Sequence, residues 1–319
     1  MTPRPRFDVL AIGEVLVRLA APAGSTLESA NHLDVTIGGA EANVAVALAR
    51  MGRSVAWMSR VADDPFGRRV IGELRRHSVS CEPVQMVSGA RTGLYFTESG
   101  GAPRGVSVQY DRNHSAAMGM SVDTVDVSWV DQADLVLVSG ITPALSDGCA
   151  GLSAAVLARA AASGRRTVVD VNYRAKLWST ERARAVLTPL CASATVVVCT
   201  AEDARDVFGV AEPDPSKVAD AVSATTVVLT EGSRGVSWCS PEGSGFSPAI
   251  PTETHDRIGA GDAFCAGVVM GVLDGDLPQG IRLGQAMASL ARTVRGDQFL
   301  GTPAEVAAVL AADGRTDRR

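Results

Sequence analysis

The sequence lacks any run near the roughly 18 consecutive apolar residues that a membrane span needs, which argues against an integral membrane protein. It lacks a strong charge of either sign: 30 Lys and Arg stand against 35 Asp and Glu, a formal net charge of −5. Nucleic-acid binders are usually basic, so that partner class is set aside, whereas a small anion held by local arginines is not. No CxxC pair occurs among Cys81, Cys149, Cys191, Cys199, Cys239 and Cys265, and no histidine stands at metal-ligand spacing. The six thiols are expected to be reduced and mostly buried. The opening MTPRPRFDVLAIGE has no continuous apolar segment of the kind a secretion signal carries, so a cytoplasmic location is expected.

What is present is apolar substance and an alternation. Hydrophobic residues make up 46% of 319, enough to bury a full core. Short runs rich in Val, Ile and Leu recur at 9–13, 55–61, 135–140, 167–171, 195–200 and 226–232. Ala-rich stretches with helical spacing lie between them, notably 41–52 and 148–164, each ending on a Gly that suits a helix C′ position. Strand and helix in repetition predict an α/β fold, a three-layer α/β/α sandwich with a mainly parallel sheet, in which ligands collect at the carboxyl ends of the strands. Two stretches break the pattern, near 14–37 and 84–112. Both are expected to form a small β-sheet lid inserted into one domain that spans 1–319. The polar tail DGRTDRR is expected to fray.

Late in the chain stands RIGAGDAFCAG (257–267), three small residues before an acid and a helical run. A helix start offers free N–H groups and partial positive charge, and Gly259, Ala260 and Gly261 leave room for a bulky anion to reach the backbone. Asp262 beside that anion can accept a proton from an attacking hydroxyl. Its pKa is expected to be low there, a weak base suited to the loose transition state of phosphoryl transfer. An ordinary capped helix with a tight turn would read the same. LTEGSRGV (229–236) supplies Thr230, Gly232 and Gly235 after a strand, either a loop for nucleotide phosphates or a plain hairpin turn. No GKS or GKT follows, so it is not a Walker A loop.

DRIGAGDAFCAG resembles the DxxGAGD signature of the ribokinase-like (PfkB) carbohydrate kinases, and IGGAEANVAVALARMG (37–52) resembles their amino-terminal signature. Within that family, GGAEAN, TGLYF (92–96), Tyr110-x-Arg112, SGITPALS (139–146), DVNYRAKLWS (170–179) and RGD (295–297) resemble the 2-keto-3-deoxygluconate kinases. The resemblance implies ATP-dependent phosphorylation of the 6-hydroxyl of 2-dehydro-3-deoxygluconate, with Mg2+ and, as an open addition, a monovalent cation. Another sugar, such as fructose or 5-dehydro-2-deoxygluconate, and a non-catalytic sugar-binding homologue stand as alternatives.

By resemblance, Asp262 is the base and the amides of Gly259, Ala260 and Gly261 form the anion hole. Gly38, Gly39, Ala40, Glu41, Ala42 and Asn43 hold the sugar, and Tyr95 closes over it. Tyr110, Arg112 and Arg174 meet its acidic end, where guanidinium suits carboxylate by bidentate pairing. Thr200, Thr230, Gly232, Ser233 and Gly235 line the ATP site, with Gln285 nearer the adenine. Glu202 and Asp203 reach Mg2+ through water, in a Thr200-Ala201-Glu202-Asp203 stretch where relatives carry Asn or Ser, two residues, then Glu. Asp111 and His114 depart from the usual lid sequence; His114 is either solvated or in touch with substrate. Cys265 is expected to pack, and His255 is a minor nucleotide neighbour. The lid's apolar residues Leu94, Phe96, Val106 and Val108 suit a homo-oligomer that pairs through the lid.

Overall fold

The computed structural model describes residues 6–99 and 105–316. β1 (Phe7–Ile12), β2 (Leu16–Ala20) and β3 (Asp34–Gly38) lead into α1 (Ala40–Arg50). β4 (Val55–Ala62), α2 (Pro65–Arg76), β5 (Val84–Val87), β6 (Leu94–Ser99) and β7 (Val106–Asp111) follow. Next come β8 (Ala133–Ser139), α3 (Ile141–Ala144), α4 (Asp147–Ala162), β9 (Arg166–Asp170) and α5 (Thr180–Ala192). β10 (Val196–Thr200), α6 (Ala201–Asp206), α7 (Pro215–Val222), β11 (Val227–Thr230), β12 (Gly235–Ser240) and β13 (Gly243–Pro248) complete the strands. The chain closes with α8 (Ala260–Asp274), α9 (Leu277–Arg292) and α10 (Pro303–Thr316).

Among the described residues nine strands form one sheet in the order β13-β12-β11-β10-β9-β8-β1-β4-β5. All its pairings are parallel except the β11-β12-β13 meander. The continuous apolar runs follow from this, because a strand with helices on both faces has no face for water. On β1, Val9 and Ala11 enter one core with Leu48, Phe264, Val268 and Met287 of the helices on that side. Leu10 and Ile12 face the other, with Leu152, Leu157, Leu187 and Val218. These two cores are the mark of the three-layer sandwich.

The sequence-read strands and helices lie at their expected places, and Gly52 and Gly164 follow α1 and α4 in the left-handed conformation expected of C′ glycines. α10 runs on to Thr316, so DGRT is helical rather than frayed, and 317–319 lie outside the described residues.

The second sheet, β3-β2-β6-β7, projects beside the carboxyl edge of the first. β2 pairs antiparallel with β3 and parallel with β6, and β6 pairs antiparallel with β7. The expected lid boundary is corrected at one point. β5 pairs parallel with β4, with Ser59 opposite Val84, and belongs to the main sheet. The lid segment therefore starts at β6, and residues 100–104 of the stretch read as lid lie outside the described residues.

The position of α8 is set by glycine. A Cβ on Gly267 would fall 2.1 Å from the Gly284 nitrogen, and one on Gly271 would fall 2.6 Å from the Gly280 Cα. The backbones of α8 and α9 thus pack in direct contact.

Candidate active site

Strands β1, β8, β9 and β10 end side by side, and the chain changes direction across the sheet at β1, from β4 on one side to β8 on the other. Such a switch point leaves a crevice at the strand ends. Here the lid flanks it, and the open cavity between them measures about 690 Å³. Gly38, Gly39, Ala40, Asn43, Tyr95, Tyr110, Arg112, Arg174, Thr200, Glu202, Asp203, Thr230, Gly259, Gly261 and Asp262 of the expected site residues line it.

Asp262 stands in the first turn of α8, and its Oδ2 accepts from Asn43 Nδ2 at 2.7 Å, across 219 residues of sequence. The helix opens on Gly259 at φ 76°, the left-handed region, and a Cβ there would lie 1.9 Å from the Asp297 carbonyl oxygen. Only glycine fits. At Gly261 an added Cβ meets nothing within 4 Å, so this position opens onto the cavity. The α8 amino terminus therefore presents main chain to an open space beside a carboxyl group.

The electrostatics correct one expectation. Asp262 is not low: burial pushes it up to about 7. Asn43 and Arg174 pull it down, while Asp297 and Glu41 add to the rise, so the helix terminus is outweighed. Asp170, at the end of β9, rises to about 8 through burial first and then through Asp262 and Asp203. Asp203 rises to about 6 by burial, opposed by its hydrogen bond with Thr200.

Each of these acids holds a proton more tightly folded than unfolded. Stability of the ligand-free protein is therefore expected to fall as pH rises from about 4, the unfolded Asp value, through about 8. Asp170→Asn should flatten that slope and raise the melting temperature by several degrees at pH 8.5 while changing it little at pH 5. Thermal melts at the two pH values check this, and a variant that tracks the wild type at both refutes it.

Arg112 lines the cavity with its charge already matched. Its Nε donates to Glu14 Oε2 at 2.9 Å and its Nη2 bonds the same oxygen, while Ser115 Oγ bonds Glu14 Oε1. The guanidinium lies 5.4 Å from the Tyr110 ring centroid, and Tyr110 stacks on Tyr95 at 5.9 Å. Arg174 is exposed to the cavity and lowers the pKa of Asp170, Asp203 and Asp262. Lys176, two residues on, donates to the Val108 carbonyl at 2.8 Å and joins this loop to the lid.

Several expected site residues stand elsewhere. Glu41 is 1% exposed and faces β8: its Oε1 accepts from Ser139 N at 3.1 Å, Ser139 Oγ at 2.8 Å and Thr142 Oγ1 at 2.5 Å. It ties α1 to the sheet, neither holding sugar nor meeting solvent. Ala42 is 2% exposed within the core beside it. Gln285 uses its amide on β13, accepting from Ser247 Oγ at 2.6 Å and donating to the Ser247 and Pro248 carbonyls. Gly235 is required by the β12-β13 pairing, since a Cβ would lie 2.2 Å from the Ser247 oxygen. Gly232 and Ser233 form an exposed turn beyond Thr230, and Ala260 begins α8 outside the lining.

The departures in the lid also resolve. Asp111 pairs with Arg91, both contacts at 2.7 Å, and His114 is exposed in a left-handed turn outside the lining. All six cysteines are free, and Cys265 is buried.

The sequence reading passed over Glu14, Asp170, Asn172, Lys176, Arg257 and Asp297, all of which line the cavity. Asp170 carried a signal, a carboxylate closing an apolar strand, and Asp297 lay within the quoted RGD.

Mg2+ can be tested against the donors. The carboxylates of Asp170, Glu202 and Asp203 face the cavity, an oxygen-only set that suits a hard cation. Among the described residues no group of three or more His, Cys, Asp or Glu could hold a metal alone. That pattern fits an ion carried mainly by phosphates and water.

An α/β fold with a lid over the strand ends, and an acid beside a glycine-opened helix, defines a group-transfer enzyme of the small-molecule kinase type. The chain belongs to the pfkB family of carbohydrate kinases, whose model matches residues 6–305. It is 39% identical to a 2-dehydro-3-deoxygalactonokinase of Haloferax volcanii, over 98% of this chain and 99% of the relative. It is 32% identical to a 2-dehydro-3-deoxygluconokinase of Thermoproteus tenax, over 96% and 95%. The crystal structure of a 2-dehydro-3-deoxygluconokinase from Thermotoga maritima superposes with a TM-score of 0.89 at 29% identity, over 97% of this chain and 99% of that one. Among the described residues no helix is long and apolar enough to cross a membrane.

Proposed function

We propose that this sugar kinase transfers the γ-phosphoryl group of ATP to the 6-hydroxyl of 2-dehydro-3-deoxygluconate. The observation that carries the reading is the placement of Asp262. It is held by Asn43 from the sugar side and stands one residue beyond a backbone open to an anion.

The sugar hydroxyl oxygen attacks phosphorus as Asp262 takes its proton; the new O–P bond forms and the bond to the β-phosphate oxygen breaks, leaving ADP. A carboxylate whose pKa lies near 7 is matched to this task at neutral pH. The amides of Gly259 and Gly261 face the charge on the migrating group. Mg2+, held through Glu202 and Asp203 by water, would neutralise nucleotide phosphate charge. Thr230, which lines the cavity, gives the nucleotide its floor. Of the two arginines expected to meet the sugar's carboxylate, Arg174 is the one left open to it, because Glu14 already occupies Arg112.

Arg174→Ala is expected to raise KM for the sugar acid by about 10–100-fold, the worth of a charged hydrogen bond, with kcat changed far less. Initial rates with ATP and 2-dehydro-3-deoxygluconate, its galactonate epimer, fructose and ribose test both claims. An unchanged KM rejects the carboxylate contact, and a preference for fructose rejects the substrate class. The galactonate epimer is a specific second reading, favoured by the 39% identity to a kinase of that name.

The lid supports pairing between subunits. Its outer strands β3 and β7 have no further strand partner among the described residues, and Val106 is 46% exposed.

A further inference from the structure

Asp297 lies in the loop between α9 and α10, and it touches three parts of the site at once. Its Oδ1 accepts from Arg18 Nη1 at 2.6 Å, and its Oδ2 accepts from Tyr95 OH at 2.5 Å. Arg18 and Tyr95 are register partners on the lid strands β2 and β6, so one carboxylate grips both central lid strands. The same carboxylate packs on the sugar loop: a Cβ on Gly38 would fall 2.4 Å from Asp297 Oδ2 and 2.2 Å from the Tyr95 hydroxyl.

The main chain of Asp297 packs on the anion loop. Its carbonyl oxygen occupies the space a Gly259 side chain would need. Around it the two loops are tied together. His255 N donates to the Arg292 carbonyl at 2.8 Å. Asp256 Oδ1 accepts from Ile258 N at 3.1 Å, and its Oδ2 lies 3.5 Å from Gly296 N and 3.6 Å from Arg18 Nη2. Asp297 is 8% exposed and Asp256 4%. Bonds in so enclosed a place are expensive to leave unmade, and they hold the loops in one arrangement.

We propose that Asp297 is a positioning residue that couples the lid to the anion-holding loop. Docking of Tyr95 and Arg18 on its side chain fixes the backbone against which Gly259 rests, so lid position sets the geometry of the phosphoryl site. The kinase reading is needed only for the activity arm of the test.

Tyr95→Phe keeps the ring that stacks on Tyr110 and removes one hydrogen bond; Asp297→Asn keeps the shape and removes the charge. Amide hydrogen exchange on the full chain without ligand is the first measurement. Exchange at 257–262 is expected to quicken about 10-fold in either variant, as well as in the lid strands. Loosening confined to the lid overturns the coupling.

The second measurement is kcat for the sugar acid in the two single variants and the double variant. Each single change should lower kcat about 10-fold, and the double should be no worse than the poorer single, since both break one link. Effects that multiply show two independent roles and overturn the proposal. If the wild type phosphorylates no sugar acid, the functional reading falls, and the exchange comparison still decides the coupling.

Discussion

Asp262→Asn is expected to lower kcat for the sugar acid by roughly 10³-fold, within the range a positioned general base supplies, while sugar affinity stays within a few-fold. The asparagine keeps the shape and can still accept from Asn43, so the sugar loop is not disturbed. What disappears is the group that receives the hydroxyl proton. The change should also act on stability, in the opposite direction. Asp262 rises to about 7 because burial penalises its charge, and its charge in turn raises Asp170. A neutral side chain relieves both, so the variant should melt higher than the wild type at pH 8. A group that costs stability and supplies activity is what a site poised for chemistry shows. Single-turnover rates, calorimetric sugar binding and thermal melts together check the pair of effects. A variant that turns over at the wild-type rate removes Asp262 from the base role. One that loses activity and also melts lower would instead make it a scaffold residue.

How much of this was legible in the sequence depended on whether a feature is local. The strand cores could be read because buried parallel strands exclude polar residues at every position, as in the VVV of β10. The glycines at 38, 39 and 259 could be read because close approach demands glycine at a point in the chain. Charge state could not be read. The pKa of Asp262 is set by burial and by acids and bases from other elements, and a helix start alone suggested the wrong sign.

Orientation was equally hidden. Every residue of α1 from Ala40 to Leu48 is buried, so the helix has no solvent face by which to place Glu41, and its carboxylate turns to Ser139 and Thr142, 98 and 101 residues away. Arg112 read as a free cation because its partner Glu14 stands 98 residues earlier, in the turn between β1 and β2. Asp297 was quoted as part of a motif without a task, since its task is a meeting of β2, β6 and the α8 loop that only folding creates.

Gly259→Ala and Gly261→Ala should both abolish most activity, and for different reasons that melting temperature separates. At 259 the backbone is left-handed, which costs an alanine about 1–2 kcal/mol. The methyl would also stand 1.9 Å from the Asp297 oxygen, so the loop must move away from a partner that is itself bonded to the lid. A displacement of about 1 Å at a reacting centre costs on the order of 100-fold in rate, and the strain should lower the melting temperature by several degrees. At 261 the methyl meets no atom beyond its chain neighbours and its own helix backbone within 4 Å, and alanine favours a helix over glycine. That variant should therefore melt at or above the wild-type temperature. Its methyl projects into the space where the migrating phosphoryl group has to lie against the amides, so kcat should still fall by about 100-fold or more. Thermal melts and initial rates on the two variants decide the matter. A Gly261→Ala enzyme that folds well and works at full rate would mean that the phosphate does not use this helix end, and the proposed chemistry would lose its anion site.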